Sequence, residues 1–255
     1  MNAALARSRT APILLGLGTL IGFIALIQAL ISLGVLNRFI VPPPWEVALA
    51  FERVILEEHI ADRFLLTMKE CVSAAALLAV FGISIGTLLY KVNILRQATE
   101  TWVAAAAAAP TVLMYPLFMV IFGRSATTII MMGFVAGLPA VILKTIEGLS
   151  GTKRVLMNVG RSFNLTPWQL FWKIQFPSAL PTIFTGFKLG LIFALINVVG
   201  VEFLINFGGL GQLINDLAER YDLAGTYAAI CFVILVSVCF FVVVEWIERW
   251  LTRAA

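Results

Sequence analysis

Long apolar segments alternate with short polar segments along this chain. Six of the apolar segments are long enough to cross a bilayer, for which a helix needs about 20 mostly apolar residues. They are residues 12–36, 64–90, 101–122, 126–146, 181–205 and 227–250. The pattern predicts an all-α, polytopic membrane protein whose six transmembrane helices form a single domain over residues 1–255. The first segment lacks a small-residue cleavage site before a polar chain, so we predict a retained helix rather than a signal peptide.

One stretch between the fourth and fifth spans, NLTPWQLFWKIQFPSALP (residues 164–181), is too amphipathic to span a bilayer. Residues 155–163 before it carry apolar side chains at helical spacing, which predicts a short helix. Asn164 tolerates the left-handed conformation that closes a helix. Thr166 is predicted to cap a second short helix that begins at Pro167.

Two further prolines set the expected end of this segment. Pro177 is predicted to end the second short helix, and Pro181 to start the fifth span. The whole segment, about residues 153–181, is then a helix–turn–helix outside the bilayer. Its side chains at Trp168, Leu170, Phe171 and Trp172 make it strongly apolar. Such a surface marks a partner site, or else an interfacial helix that rests on lipid headgroups.

Composition supports the membrane prediction, and charge gives an orientation. The 255 residues are 61% hydrophobic and 13% charged, whereas soluble domains are about 45–50% apolar and about 25% charged. Lysine and arginine favour the cytoplasmic side, and an inside N-terminus puts ten of these residues inside and five outside. The inner set is Arg7, Arg9, Lys91, Arg96, Lys153, Arg154, Arg161, Lys173, Arg249 and Arg253, and the outer set is Arg38, Arg53, Arg63, Arg124 and Arg220. Both termini and the helix–turn–helix are therefore predicted to be cytoplasmic.

The sequence lacks the motifs of an embedded enzyme. It contains no HExxH, GxSxG, CxxC or GxxxxGK[ST] pattern, and its one histidine, His59, lies in an acidic outer loop. We therefore predict no catalytic residues, no metal site and no cofactor on this chain, and any ATP would be bound by another chain. The basic residues are scattered rather than clustered, which argues against nucleic-acid binding.

Four segments resemble one transporter family. NVGRSFNLTPWQLFWKIQFPSALPTIFTGFKLGL (residues 158–191) resembles the cytoplasmic EAA loop of ABC importer permeases. FIVPPPWEVALAF (39–51), APTVLMYPLFMVIFG (109–123) and VEFLINFGGLGQLI (201–214) resemble segments of the sulfonate/nitrate/taurine-type permeases. The resemblance covers about residues 35–250 in order. Where the family's loop has Glu, Ala and Gly, this chain has Asn158, Gly160 and Asn164.

The resemblance implies a permease subunit of the bacterial inner membrane. Its expected partners are ABC ATPase subunits that bind ATP and Mg²⁺, an extracytoplasmic solute-binding protein, and a second permease copy, either identical or closely related. The loop would be a coupling helix that contacts the ATPase through Asn164, Thr166, Pro167, Trp168, Leu170, Phe171, Trp172 and Pro177. The implied solute is a small organic or inorganic anion of sulfonate, nitrate or taurine type, with an aromatic or heterocyclic solute as the alternative.

The spans contain candidate residues for a translocation path or gate. These are Pro110, Met114, Tyr115, Asn197 and Glu202. The prolines at 110 and 116 predict a bend with freed carbonyl groups, and the alanine run at 104–109 predicts either close helix packing or a path lining. A carboxylate at membrane depth costs up to about 3 kcal/mol, so Glu202 is interpreted as a gate or as an interfacial residue. As a gate, its replacement by alanine would lower uptake without preventing assembly.

The segment after Glu202 is predicted to contact the binding protein. GGLGQLINDLAERY (208–221) reads as a flexible turn followed by a short outer amphipathic helix. The contact residues expected there are Gly208, Gly209, Gly211 and Gln212.

Two other classes of protein remain open at this point. A secondary transporter driven by an ion gradient would show internal repeats with broken helices in matching halves, and no convincing repeat is present. A membrane scaffold without transport activity is the second alternative. Co-purification with an ATPase subunit would separate the importer from both.

Overall fold

A computed structural model describes residues 11–253, and the regular elements in that range are helices. Their bounds are α1 Ala11–Ser32, α2 Pro44–Glu57, α3 Ile60–Lys91, α4 Asn93–Ala108, α5 Tyr115–Phe122, α6 Ala126–Ser150, α7 Arg154–Ser162, α8 Pro167–Ile205, α9 Gly209–Glu219 and α10 Leu223–Arg253. The predicted all-α membrane fold is confirmed. Arg7 and Arg9, which contribute to the predicted orientation, lie outside the described residues.

Five helices have the length and apolar character of membrane spans, and one bent pair of helices has them together, as a broken sixth span or a re-entrant loop. The bent pair is α4 and the segment Thr111–Phe122, which meet at 94°. Proline disfavours helical geometry in the residue before it, and Ala109 is accordingly extended (φ −73°, ψ 137°). The bend predicted from the prolines is confirmed, and at 94° it is a sharp corner rather than a slight kink.

The core of the bundle lies between α6 and α8. Small residues let the two backbones approach closely, because a Cβ atom on Gly137 would overlap the carbonyl oxygen of Gly190. Around this contact, Val198, Ile129 and Met132 are almost completely buried. In contrast, no side chain is buried in the apolar part of α1, which leaves this helix free to face lipid.

The charged residues collect at two ends of the bundle. At one end Arg63 pairs with Asp216 at 2.8 Å, Arg220 pairs with Glu58 at 2.6 Å, and Arg53 pairs with Asp222. At the other end Arg96 donates a hydrogen bond to Ser150 at 3.1 Å, and Lys91 lies near Trp168. This grouping matches the predicted alternation of spans, while the assignment of the second end to the cytoplasm remains a prediction.

The fifth span starts earlier than the prolines predicted. α8 runs without interruption from Pro167 to Ile205, so Pro177 does not end a helix and Pro181 does not begin one. A π-turn at Phe171–Gln175 precedes Pro177, and there the N–H of Phe176 bonds to the carbonyl of Phe171, five residues back. Such a wider turn accommodates a proline ring inside a membrane helix. The helix–turn–helix is therefore continuous with the span that follows it.

Candidate functional site

The corner between α7 and α8 has the geometry predicted from the sequence. Asn164 adopts the left-handed conformation with φ 53°, and the N–H of Leu165 closes the turn on the carbonyl of Gly160 at 3.2 Å. Thr166 and Gln169 form a reciprocal capping box, and Pro167 occupies the first turn. The corner is therefore fixed by backbone geometry and capping rather than by contacts with a partner.

The apolar side chains near this corner divide into an inward set and an outward set. Phe171 is buried against Leu149, Ala179 and Ile183, and Leu170 packs against Gly160. These two residues were predicted to face a partner, and the structure places them inside because the turn of α8 directs them toward α6 and α7. The outward set, here called the docking surface, consists of Val155, Val159, Phe163, Trp168 and Trp172.

The C-terminal end of α3 packs against the start of α8, which carries part of the docking surface. The ammonium group of Lys91 lies 4.3 Å from the centre of the Phe171 ring and 5.8 Å from that of Trp168. The side-chain amide of Gln175 donates a hydrogen bond to the hydroxyl of Tyr90. Sequence reasoning missed these contacts because residues 90–91 and 168–175 are remote along the chain.

A cavity of about 330 Å³ lies at the corner where α4 breaks. Its polar feature is a hydrogen bond of 3.0 Å from the Thr111 hydroxyl to the side-chain carbonyl of Asn197. The rest of the wall is apolar, and it is formed by Ala106, Ala107, Ala109, Pro110, Val112, Ala136, Phe193, Ile196 and Gly200. The alanines at 104–109 are exposed in this chain, so no helix among the described residues packs over them.

The cavity contains two of the five predicted path residues. Pro110 and Asn197 line it, whereas Met114, Tyr115 and Glu202 do not. Met114 is exposed, and the Tyr115 ring packs into the apolar cluster around Phe118.

Glu202 is buried at the charged end that includes Arg63 and Asp216, with no accessible surface. Its Oε1 accepts a hydrogen bond of 2.7 Å from the Thr67 hydroxyl of α3, and its Oε2 accepts one of 2.8 Å from the N–H of Gly211. The carboxyl group thus joins α3, α8 and the start of α9. Glu202 is therefore enclosed by protein, and its role as a gate or as an interfacial residue stays a prediction.

Comparison with known proteins identifies the transporter class. Residues 78–253 match the family described as binding-protein-dependent transport system inner membrane component. The chain belongs to this family of ABC transporter permeases. This membership favours the importer over the secondary transporter and the scaffold.

Individual relatives agree with this assignment. The permease is 26% identical over 226 residues to the riboflavin transport system permease protein RibX of Chloroflexus aurantiacus, which covers 89% of this chain and 84% of the relative. It is 25% identical over 207 residues to the putative aliphatic sulfonates transport permease protein SsuC of Bacillus subtilis, which covers 81% and 75%. The fold also matches the inward-facing MetNI methionine ABC transporter with a TM-score of 0.63, 20% identity and 76% and 95% coverage.

The glycines of the permease at 208–211 do not form the exposed surface expected for a binding-protein contact. Gly209 and Gly211 are buried, and Gln212 is half-buried. A Cβ atom on Gly211 would overlap the carbonyl oxygen of Val199, so this glycine lets α9 lie directly against α8. Gly208 and Gly209 have φ angles of 136° and 77°, which favour glycine. The predicted amphipathic helix is present as α9, and its glycines serve packing, while its location on the outer side stays a prediction.

Two further residues of the permease acquire a role from the structure. A Cβ atom on Gly160 would overlap the Leu170 and Ile174 side chains, so glycine permits the close contact of α7 with α8 where the family's motif has alanine. Glu70 of α3 lies buried beside Glu202. In the sequence, the only feature that could have pointed to Glu70 was its position in the polar part of a predicted span.

Proposed function

We propose that this permease is the membrane subunit of an ATP-driven importer of the bacterial inner membrane. Two copies would engage two ATPase subunits, which bind ATP and Mg²⁺, and an extracytoplasmic binding protein would supply the solute. The observation that carries this proposal is the docking surface. Its five apolar side chains remain exposed at one end of the bundle, and exposed apolar surface of this kind marks a partner site.

The continuity of α8 supports a mechanism for coupling. Trp168 and Trp172 on the docking surface and Asn197 in the cavity belong to one helix. The capping box and the buried Phe171 hold the start of that helix against the bundle. A displacement imposed on the docking surface would therefore move the cavity wall, because helices transmit motion as rigid elements.

The open cavity supports the proposal of two permease copies. Its wall includes exposed residues of α4 and α8, among them Ala107, Phe193 and Ile196. Smooth small-residue surfaces allow another helix to approach closely in a membrane. A second copy placed on this face would close the cavity into a path, and a closely related permease could do the same.

We expect the purified, active transporter to contain two permease copies for every two ATPase subunits. Native mass spectrometry of the complex, with the permease and the ATPase carrying different tags, measures this ratio. An active complex with one permease copy for two ATPase subunits would contradict the dimeric path. Co-purification of differently tagged copies of this chain separates a homodimer from a heterodimer.

The residues that line the cavity also indicate the charge of the solute. The resemblance predicts a small anion, and the aliphatic sulfonate permease is consistent with that. The riboflavin permease represents the alternative, a heterocyclic solute. Among the described residues that line the cavity, none carries a charge, and Asn197 offers an amide that a polar ring could bond. This wall favours an uncharged heterocyclic solute, because it provides no cation to compensate an anion that loses water.

We expect solute-loaded binding protein to stimulate ATP hydrolysis more with an uncharged heterocyclic compound than with taurine, an alkyl sulfonate or nitrate. The measurement is ATPase activity of the complete transporter in proteoliposomes, with each compound in turn. Asn197→Leu should reduce uptake of the preferred solute, whereas Met114→Leu, outside the cavity, should not. Stimulation by sulfonates or nitrate alone would favour the anion instead.

A further inference from the structure

Two carboxyl groups lie together in the interior of the permease where α9 meets α3 and α8. Glu70 is 1% exposed and Glu202 is 0% exposed. Glu70 follows Thr67 by three residues on α3 and so shares its face of the helix, and the Thr67 hydroxyl bonds to Glu202 at 2.7 Å, which makes the two carboxyl groups neighbours. Two adjacent buried carboxylates repel each other and lose their hydration, so both are not ionised together. The pair must therefore contain at least one proton.

The bonding pattern of Glu202 assigns the negative charge to that residue. The Thr67 hydroxyl accepts the N–H of Leu210 at 2.9 Å and donates its own hydrogen to Glu202 at 2.7 Å, a shorter distance than the 3.2 Å to the carbonyl of Arg63. The N–H of Gly211 donates to the other oxygen. Both oxygens of Glu202 thus accept hydrogen bonds at the start of α9, where the helix dipole favours a negative charge.

Glu70 has the opposite environment. Neither of its oxygens has a hydrogen-bond donor among the described residues, so an ionised Glu70 would be an uncompensated charge. As a carboxylic acid, the same side chain can donate to Glu202. We infer that Glu70 is a neutral carboxylic acid bonded to the Glu202 carboxylate, and that this one proton holds α3 against α8 at the place where α9 begins.

In the described part of the chain, no other ionisable group nearby bonds to the two carboxyl groups and supplies a positive charge that would replace this proton. Arg63 lies one turn before Thr67 on α3, where its Nη2 bonds to Asp216 at 2.8 Å and its Nε to the carbonyl of Glu58 at 3.2 Å. Its buried Nη1 has no hydrogen-bond partner in the described structure, so it bonds neither Glu70 nor Glu202. Cys71 is buried beside both carboxyl groups, and a neutral thiol cannot balance their charge. Within residues 11–253, no lysine or arginine forms an ion pair with Glu70 or Glu202.

The proton makes the attachment of α9 dependent on pH. While Glu70 is protonated, the pair supplies a hydrogen bond across the α3–α8 contact. When Glu70 ionises as the pH rises, two negative charges face each other across α3 and α8, which loosens the contact to which the start of α9 is bonded through Leu210 and Gly211. The stabilisation is therefore present at low pH and is lost at high pH.

The purified permease complex should show the infrared carbonyl band of a protonated carboxylic acid near neutral pH. We expect Glu70→Gln, whose amide can still donate to Glu202, to abolish that band. The matched control Glu52→Gln, an exposed residue of α2, should leave it unchanged. Absence of the band in the wild-type complex overturns the inference, and so does its persistence in Glu70→Gln.

Amide hydrogen exchange then tests the mechanical consequence. In the wild-type complex, protection of residues 209–219 should fall as the infrared band disappears at higher pH, once intrinsic exchange rates are corrected. In Glu70→Gln this protection should no longer depend on that transition, whereas Glu52→Gln should behave as wild type. Protection that follows the same pH dependence in Glu70→Gln contradicts a role for the proton of Glu70.

Discussion

Replacing Phe163 and Trp168 together with aspartate should abolish ATPase binding while the permease still inserts in the membrane. Both side chains are largely exposed, at 75% and 66%, and they flank the fixed corner at Asn164. Truncation of an aromatic anchor at an interface costs about 2 kcal/mol, so the pair should weaken binding roughly a thousandfold. The measurement is a pull-down of the ATPase at matched membrane levels of permease.

Tyr221→Asp provides the matched control for that experiment. Tyr221 is an aromatic residue that is 88% exposed at the opposite end of the bundle, so it should leave ATPase recovery unchanged. If the docking surface only rests on lipid headgroups, the double variant will also recover the ATPase normally. Charged replacements at Leu170 and Phe171 would not separate these cases, because both side chains pack inside the protein and their loss disrupts the fold.

Replacing Glu202 with alanine should destabilise the permease rather than alter transport alone. The N–H of Gly211 would lose its acceptor in the interior, and the Thr67 hydroxyl would keep only the carbonyl of Arg63 at 3.2 Å. An unsatisfied buried donor costs about 1–3 kcal/mol, so the free energy of unfolding should fall by at least about 1–3 kcal/mol. This expectation replaces the one drawn from the sequence, in which assembly was unaffected.

Thermal unfolding of the purified permease in detergent measures this loss. Glu219→Ala, on the same helix α9, is the matched control, because Glu219 is exposed and accepts a hydrogen bond only from Asn215 in the described structure. The Glu219→Ala variant should unfold at the same temperature as the wild type. A Glu202→Ala variant that assembles and unfolds normally, but has reduced uptake, would restore the interpretation of Glu202 as a gate.

The local chemistry of the corner between α7 and α8 could be predicted from sequence because its causes are local. A left-handed Asn164, a capping Thr166 and a first-turn Pro167 each act within four residues of the chain. The spans were predictable for a similar reason, since bilayer thickness sets the length of an apolar segment wherever it occurs. The corner at Pro110 follows from the missing N–H of proline and the restriction on the residue before it.

The path of α8 and the direction of its side chains could be determined only from the tertiary structure. Prolines at 177 and 181 indicate a break, yet a π-turn lets the helix continue. Whether Phe171 faces a partner or the core depends on where α3 and α6 lie. Hydrophobicity alone does not distinguish these two kinds of burial, because both remove apolar surface from water.

The sequence by itself determined that the chain is a helical membrane protein with a capped, apolar corner before its fifth span. Its family resemblance then indicated the class of transporter. Only the tertiary structure decided that Gly209 and Gly211 are packing residues, and that Glu70 meets Glu202 from 132 positions away. Such long-range pairs arise from helix packing, in which the neighbours of a side chain are set by other elements rather than by its own sequence.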